Sequence, residues 1–586
     1  MYIVLGSTAT AGWEALTYLG PDETSDGSLR TIPGARLGAF VADVEAQQSA
    51  PVRWVWADAR QIMPELLAQG VSPQRCHDLR LVQRILATAA TRANNHLDYV
   101  PTLDLLSEVE TPAGTMPPAP TVPGQDALFA DDSLQPASET PQAPGAQELA
   151  TELTAQLTAI EAAPHPARLR LLATAESTGG MIAAEMKYHG IPWNRARHEE
   201  LLRQELGERP TGYERPEKMQ ELAEEIQRLL QSPRLNVDSP ADMLKAMHAA
   251  GMRVESTRKW ELTAWADDNP RLKPQRREIV DPILRYKKLS RLFTANGWNW
   301  LDAWVHENRF HPSYEVGGVV TGRWGAHGGG AMQIPKDVRS AVQAEPGMLL
   351  TVADASQLEP RILAAVSRDT KLAIAGRDRD LYLGIAEIGA RMGSALTQRD
   401  HAKVALLGAM YGATSGESGR LMPHLRKLFP DAIAFTERAA ALGERGGQVT
   451  TFLGRTSPAP DEAWFARQRD QGTAAAERAA VTARRSFGRF TRNFVVQGTA
   501  AEWALCWMSL IRQQLRSTLV DGRPMSSRLV YFLHDEIMIY GPEHEAAACT
   551  QIVRRTAQQA AELLFGSVPV QFPVTVVSTD NYAKAK

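Results

Sequence analysis

Cysteine is scarce in this chain: three occur in 586 residues, Cys76, Cys506 and Cys549, far apart and with no Cys-x-x-Cys pair. That excludes a disulfide framework and a cysteine zinc site. The start, MYIVLGSTATAGW, lacks the basic and long apolar regions of a secretory signal. No apolar run approaches the roughly 20 residues that span a bilayer. An excess of one charge is missing too. Against 64 Lys and Arg stand 67 Asp and Glu, a formal net charge of −3, which excludes a uniformly basic coat but leaves room for a basic cleft. The expectation is a soluble, cytoplasmic protein with no membrane partner. Its length exceeds one ordinary core, so two or more domains are expected.

Residues 1–106 mix strand-like runs, MYIVLG and VRWVWAD, with a helical stretch, DARQIMPELLAQG, and predict a small α/β unit. Residues 107–147 are rich in Pro, Ala, Gly, Ser, Thr and Gln and have little to bury, so they predict a disordered linker. From 148 onward the pattern is mostly helical. Strand signals return at GMLLTVAD, RLVYFL, EIMIYG and FPVTVVS. Strands this widely spaced among helices predict an α+β core sheet with helical insertions.

Chemistry-bearing residues cluster at those strands. The run RLVYFLHDEIMIYG, 528–541, predicts a hairpin whose tip carries Asp535. It is either a plain polar turn or a carboxylate held rigidly for a metal ion; the Asn-Gly or Asp-Gly of a simple hairpin turn is missing. In GMLLTVADASQLEPRILAAVSRD, 347–369, Asp354 ends a strand and Glu359 starts a helix. Asp354 alone is either an ordinary strand-end residue or a ligand. Two aspartates on neighbouring strands would suit a pair of Mg²⁺ ions about 4 Å apart. Between them, TQRDHAKVALLGAMYGATSG places Arg399, Lys403, Leu407 and Tyr411 in steps of four along one helix face. Two cations, then an apolar and an aromatic residue, fit either a nucleotide or a solvated edge beside a core stripe. A further helix, RRSFGRFTRNFVVQGTAAEWALCWM, spaces Arg489, Asn493 and Gln497 the same way. Such side chains can bond minor-groove acceptors, or they are simply exposed polar residues.

In this order the segments resemble family A DNA polymerases, of the bacterial polymerase I (Klenow-like) type. DASQLEPR, 354–361, resembles motif A; RDHAKVALLGAMYG, 399–412, motif B; LHDE, 533–536, motif C. TGRWGAHGGGAMQIP, 321–335, is similar to the family's T-G-R…Q-N-I-P segment, RFTRNFVVQGT to its minor-groove segment, FPVTVVSTDNY to its closing strand, and GIPWN, 190–194, to the thumb entry. The resemblance implies an α+β right-hand polymerase: a thumb at about 190–305, a palm at about 306–370 and 488–586, and fingers at about 371–487, within a polymerase domain at 148–586. It implies Asp354 and Asp535 as ligands of two Mg²⁺ ions, with Mn²⁺ as a substitute. Lys403 would act in catalysis and, with Arg399, hold the triphosphate. Glu359 would be the gate against a ribose 2′-OH, and Leu407, Tyr411 and His534 would complete the nucleotide site. Arg323, Arg489, Asn493 and Gln497, beside His534, would contact DNA, and Glu536 would support the metal site. The implied partners are primer–template DNA and deoxynucleoside triphosphates, and the implied state is a monomer.

Four departures stand out. Leu407 replaces the usual motif B aromatic, Ala355 the usual Tyr, Pro360 the usual Leu, and GAHGGGAMQIP lacks the Asn before Ile. Leu407 and Ala355 keep open a ribonucleotide-tolerant or translesion polymerase, and a DNA-binding relative without catalysis is the third reading. RWVWADARQIMPELLAQGVSPQRCHDLRLVQRIL, 53–86, resembles the later part of a 3′–5′ exonuclease domain, whose chemistry needs four acids. Its helix-start Asp falls at Ile62; Asp43 and Glu45 sit in a helix-like run; Asp78 matches at most one more acid. The expectation is a truncated, inactive exonuclease-like domain at 1–106, no proofreading, and no 5′-nuclease domain.

Overall fold

The apolar runs at the N-terminus pair as strands. In the computed structural model of the chain, a five-stranded sheet has the order Leu29–Pro33, Gly12–Tyr18, Tyr2–Ser7, Arg53–Trp56, Cys76–Asp78. The first three strands are antiparallel, and the last two run parallel to Tyr2–Ser7. The structure describes residues 1–8, 12–18, 20, 29–48, 51–90, 97–107, 143–212, 214–326, 334–413, 416–470 and 472–585. Gly12–Tyr18 and Leu29–Pro33 were not expected from sequence. Leu29–Pro33 buries only Ile32, so this edge strand carries no period-two signal.

Alternation along the central strands splits their side chains between two faces. Ile3, Leu5, Trp54 and Trp56 pack with Leu37, Val41, Ile62 and Leu66 of the helices Leu37–Gln47 and Ala59–Ala68. Val4, Leu16 and Val55 pack instead against Ala146, Leu149 and Leu153 of the helix Ala146–Ala162. Residues 143–147 fall within the linker expected over 107–147. Residues 143–147 are tied to the sheet, where the Ser7 N–H donates to the Pro144 carbonyl at 3.2 Å. Residues 108–142 lie outside the described residues.

The helix Pro166–His189 joins this unit to the rest. Arg512, on the 44-residue helix Ala474–Ser517, is buried and donates to Glu185 of that joining helix at 2.7 Å and to the Pro73 carbonyl at 2.7 Å. The second sheet has the order Arg528–Leu533, Glu536–Pro542, Met348–Ala355, Val574–Thr579, all antiparallel. Trp503 and Trp507 of the long helix and Phe565 and Phe572 form an aromatic layer over it. By length and composition the long helix could cross a membrane, contrary to the expectation that no segment would. Its apolar window is 78% buried inside the protein, so the run reflects a core helix. Six further helices between Arg195 and Trp304 form a helical unit ahead of the sheet.

Two buried carboxyls give the fold a pH signature. Burial and neighbouring Asp58 push Asp78 up to about 7, although the Ala59 and Leu81 N–H groups bond it. Burial likewise pushes Glu502 up to about 7. Each folded value lies above its unfolded one, about 4, so the stabilising contribution is full below that pH and lost as pH rises through about 7. Burial acts oppositely on His77, His189 and His198, which sit at about 4 and favour the fold as pH rises. The clean test is therefore a difference. Glu502→Gln melts closer to, or above, the unmutated protein at about pH 8 than at about pH 5. A gap that widens with pH contradicts the burial account.

Candidate active site

The strand Met348–Ala355 carries Asp354 at its end, directly across from Glu536 on the neighbouring strand. The Ala355 N–H donates to the Asp535 carbonyl at 2.9 Å, which sets the two aspartates side by side at one end of the sheet. His534 and Asp535 form the two-residue turn between Arg528–Leu533 and Glu536–Pro542. His534 has φ +56, a left-handed conformation that usually falls to Gly or Asn, so this turn holds strain at its tip. Burial and Arg323 lower the His534 pKa, which keeps its imidazole neutral near pH 7. Glu536 is 3% exposed, and the Tyr582 hydroxyl donates to it at 2.5 Å.

Glu359 lies in the first turn of the helix Leu358–Ser367, with Pro360 beside it where a missing N–H does no harm. It pairs with Arg323 and accepts from the Tyr411 hydroxyl at 2.5 Å. Tyr411 ends the helix Arg399–Tyr411, and Gly412 caps it at φ +74. A Cβ at Gly412 would lie 2.6 Å from Cγ of Arg489, so only glycine lets the long helix come this close. Arg489 is exposed and donates to Ser486 Oγ at 2.8 Å. Asn493 and Gln497 follow half-buried, and among the described residues the buried Asn493 Oδ1 has no hydrogen-bond partner.

At the other end of the motif B helix, Arg399 bonds Asp380 at 2.9 Å and lies 5.5 Å from the Tyr382 ring centre. Burial opposes the Asp380 charge, but the Leu383 N–H and Arg399 hold its carboxyl below the ordinary range. Sequence reasoning missed Asp380 and Tyr382. An aspartate just before LYLGIAEIGAR is an N-cap signal, and Asp380 does cap the helix Leu381–Arg391 through the Leu383 N–H. Lys403 is exposed one turn beyond Arg399, and Leu407 is half-buried against the core. Arg361 is 1% exposed; among the described residues it bonds no carboxylate but donates to the carbonyls of Ser356, Gly376, Arg379 and Gln571, joining the segment after Asp354 to the Asp380 turn. Burial lowers its pKa to about 10.

A cleft of about 160 Å³ is lined by Arg323, Glu359, Tyr411, His534 and Asp535, with Trp324, Leu505 and Phe532 behind them. The structure thus brings these five expected site residues to one cavity. Asp354, Arg399, Lys403, Leu407, Arg489, Asn493 and Gln497 stand on the elements that flank it. Of GAHGGGAMQIP, residues 327–333 lie outside the described residues. Of the N-terminal acids, Asp78 has Asp58 beside it, whereas the other two candidates are held elsewhere. Asp43 is exposed on its helix, Glu45 accepts from Trp54 Nε1 at 3.0 Å, and Ile62 is core. Among the described residues no group of three or more His, Cys, Asp or Glu could hold a metal ion.

Comparison with known proteins accords with this geometry. The profile of DNA polymerase family A matches residues 210–584. DNA polymerase I of Chloroflexus aurantiacus is 27% identical over 348 residues, covering 55% of this chain and 33% of that protein. The thermostable DNA polymerase I of Thermus thermophilus is 28% identical over 392 residues, covering 61% of this chain and 42% of that one. The chain spans less than half the length of these two relatives. Among solved structures, the POL domain of Pol1 from M. smegmatis, in complex with DNA primer-template and dNTP, aligns with a TM-score of 0.68 at 18% identity. That alignment covers 100% of this chain and 95% of the other and shows the shared α+β polymerase fold, including the small N-terminal α/β unit. With more than half of its length matched by one family profile, this chain belongs to DNA polymerase family A.

Proposed function

We propose that the protein is a template-directed DNA polymerase that adds deoxynucleotides to a primer 3′-OH, in DNA repair or replication, as a monomer. The observation that carries this reading is the Ala355–Asp535 backbone bond, which fixes two carboxylate-bearing residues together at the edge of the cleft. Their chemistry fits Mg²⁺, a hard cation that takes one or two carboxylates and completes its shell with water and substrate phosphate. Bound there, two Mg²⁺ (or Mn²⁺) ions supply charge neutralisation at the attacking and leaving oxygens. The chain's own residues do the positioning. Arg399 exchanges Asp380 for the triphosphate, Lys403 holds the phosphates and gives a proton to the departing pyrophosphate, and Tyr411 and Leu407 bracket base and sugar. Arg323, Arg489, Asn493 and Gln497 line the primer–template path.

The residues 1–106, with the helix Ala146–Ala162 packed on their sheet, are in this reading an exonuclease-like unit without nuclease activity, and the rest is palm, fingers and thumb. The strand Tyr2–Ser7 contains no acid. Its end is covered by backbone, since a Cβ at Gly6 would lie 2.1 Å from the Ala146 nitrogen. Neither feature leaves room for a metal pair there, which supports a polymerase without proofreading.

Leu407 and Ala355 favour a second reading, tolerance of ribonucleotides. Against it, Glu359 is held from two sides by Arg323 and Tyr411. Single-nucleotide incorporation opposite each template base, with deoxy and ribo substrates, tests both. The expected result is deoxynucleotide addition dictated by the template. Glu359→Ala then raises ribonucleotide use by about 10- to 200-fold, the span that a small steric change in a pocket gives. Equal use of both sugars by the unmutated protein would favour the tolerant polymerase.

A further inference from the structure

If the N-terminal unit cuts no DNA, its packing against the catalytic half needs another account. Three arginines of that unit converge on one residue of the other half. Arg84 Nη2 donates to Glu315 Oε1 at 2.7 Å, Arg80 Nη1 to the same oxygen at 3.1 Å, and Arg60 Nη1 to Oε2 at 3.1 Å. Arg84 also donates to the Val316 and Gly317 carbonyls at 3.0 and 3.1 Å. Burial opposes the Glu315 charge, but the three arginines outweigh it and hold its carboxyl at about 2. This is far more fixation than a surface pair provides.

The residue before Glu315 grips the hairpin. Tyr314 is 5% exposed, and its hydroxyl accepts the Phe532 N–H at 3.1 Å while donating to the Phe532 carbonyl at 3.0 Å. Phe532 stands two residues before His534. Trp324, next to Arg323, packs edge-on against both rings, at 5.2 Å from Tyr314 and 5.0 Å from Phe532. Between the two halves the joining helix narrows to Gly179-Gly180. A Cβ on Gly179 would meet Leu505, Val316 and Trp324 at 2.9–3.4 Å, and one on Gly180 would meet Leu81, Ala59 and Asp78 at 3.1–3.5 Å. The joining helix thus has the N-terminal unit against Gly180 and the hairpin's support against Gly179, beside the direct bonds to Glu315.

We propose that the N-terminal α/β unit braces the catalytic hairpin, with Arg84, Glu315 and Tyr314 as positioning residues that set where the His534-Asp535 turn stands relative to Asp354. A strained two-residue turn has no rigidity of its own to spare; the fixed Tyr314 supplies it from outside. The catalytic consequence rests on the polymerase reading, whereas the mechanical one does not.

The test uses the full chain in three variants, Tyr314→Phe, Arg84→Ala and Arg84→Lys, and two readouts. In Tyr314→Phe the Phe532 amide loses its acceptor, and its hydrogen exchange accelerates on the order of tenfold or more. The decisive variant is Arg84→Ala, which never touches the hairpin. It is expected to accelerate Phe532 exchange as well, while the strand Val574–Thr579 stays protected. It is also expected to lower kcat for nucleotide addition by about tenfold, part of the ~10²-fold that an ångström-scale misplacement costs. The KM for primer–template stays unchanged. Arg84→Lys keeps the charge on Glu315 without the forked grip and recovers part of kcat. Unchanged Phe532 exchange and unchanged kcat in Arg84→Ala would overturn the brace. If the unmutated protein adds no nucleotide, the polymerase reading fails, and the exchange measurements still decide the mechanical proposal.

Discussion

Asp354→Asn and Asp535→Asn are each expected to lower primer extension by about 10³-fold or more, because a divalent cation's hold on transition-state charge accounts for several kcal/mol. Primer–template affinity moves the other way or not at all. Each substitution removes a negative charge facing a polyanion, so binding followed by fluorescence anisotropy holds or tightens. This combination separates a metal-binding role from a folding one. Asp354 lies on a strand locked by backbone pairing and Asp535 in the hairpin turn, whose bond from the Asp535 N–H to the Leu533 carbonyl at 2.7 Å is a backbone bond that neither substitution removes. Weak DNA binding together with low extension would point to a damaged hairpin instead.

Lys403 should show the second-largest effect. Lys403→Ala loses a phosphate contact and a proton donor at once, so kcat falls by about 10²- to 10⁴-fold and the KM for the nucleotide rises. Lys403→Arg divides the two roles. A guanidinium keeps the charge and so the KM, but it does not give up a proton at accessible pH, so kcat stays low. Single-turnover incorporation over a nucleotide titration reads both parameters. A full kcat in Lys403→Arg would show that charge alone suffices. The exposed position of Lys403 on a helix facing the cleft is what makes the experiment clean, since little packing is lost.

Local signals carried much of this architecture. The hairpin of 528–541 was legible because two apolar, β-branched and aromatic runs bracket the polar residues, and the helix 399–411 because Arg399, Lys403, Leu407 and Tyr411 recur every fourth position. The site's actual pairings were not. Arg399 with Asp380, and Glu359 with both Arg323 and Tyr411, join segments 19 to 52 residues apart, and only tertiary packing brings them together. The same holds for Tyr314 and Phe532, 218 residues apart. That the helix Ala146–Ala162 packs on the N-terminal sheet was not legible either, because Pro and Gln composition says where a chain need not fold, not which neighbouring helix covers a sheet. The long helix shows the converse problem: hydropathy reads 18 apolar-rich positions alike whether lipid or protein covers them.

The most direct measurement is primer extension on a defined template with Mg²⁺ and the four deoxynucleotides, run beside Asp535→Ala. The account predicts products whose sequence follows the template, that require the divalent ion, and that vanish in the variant. Tight primer–template binding by the unmutated protein with no extension at all would contradict it, leaving a polymerase-shaped DNA-binding protein.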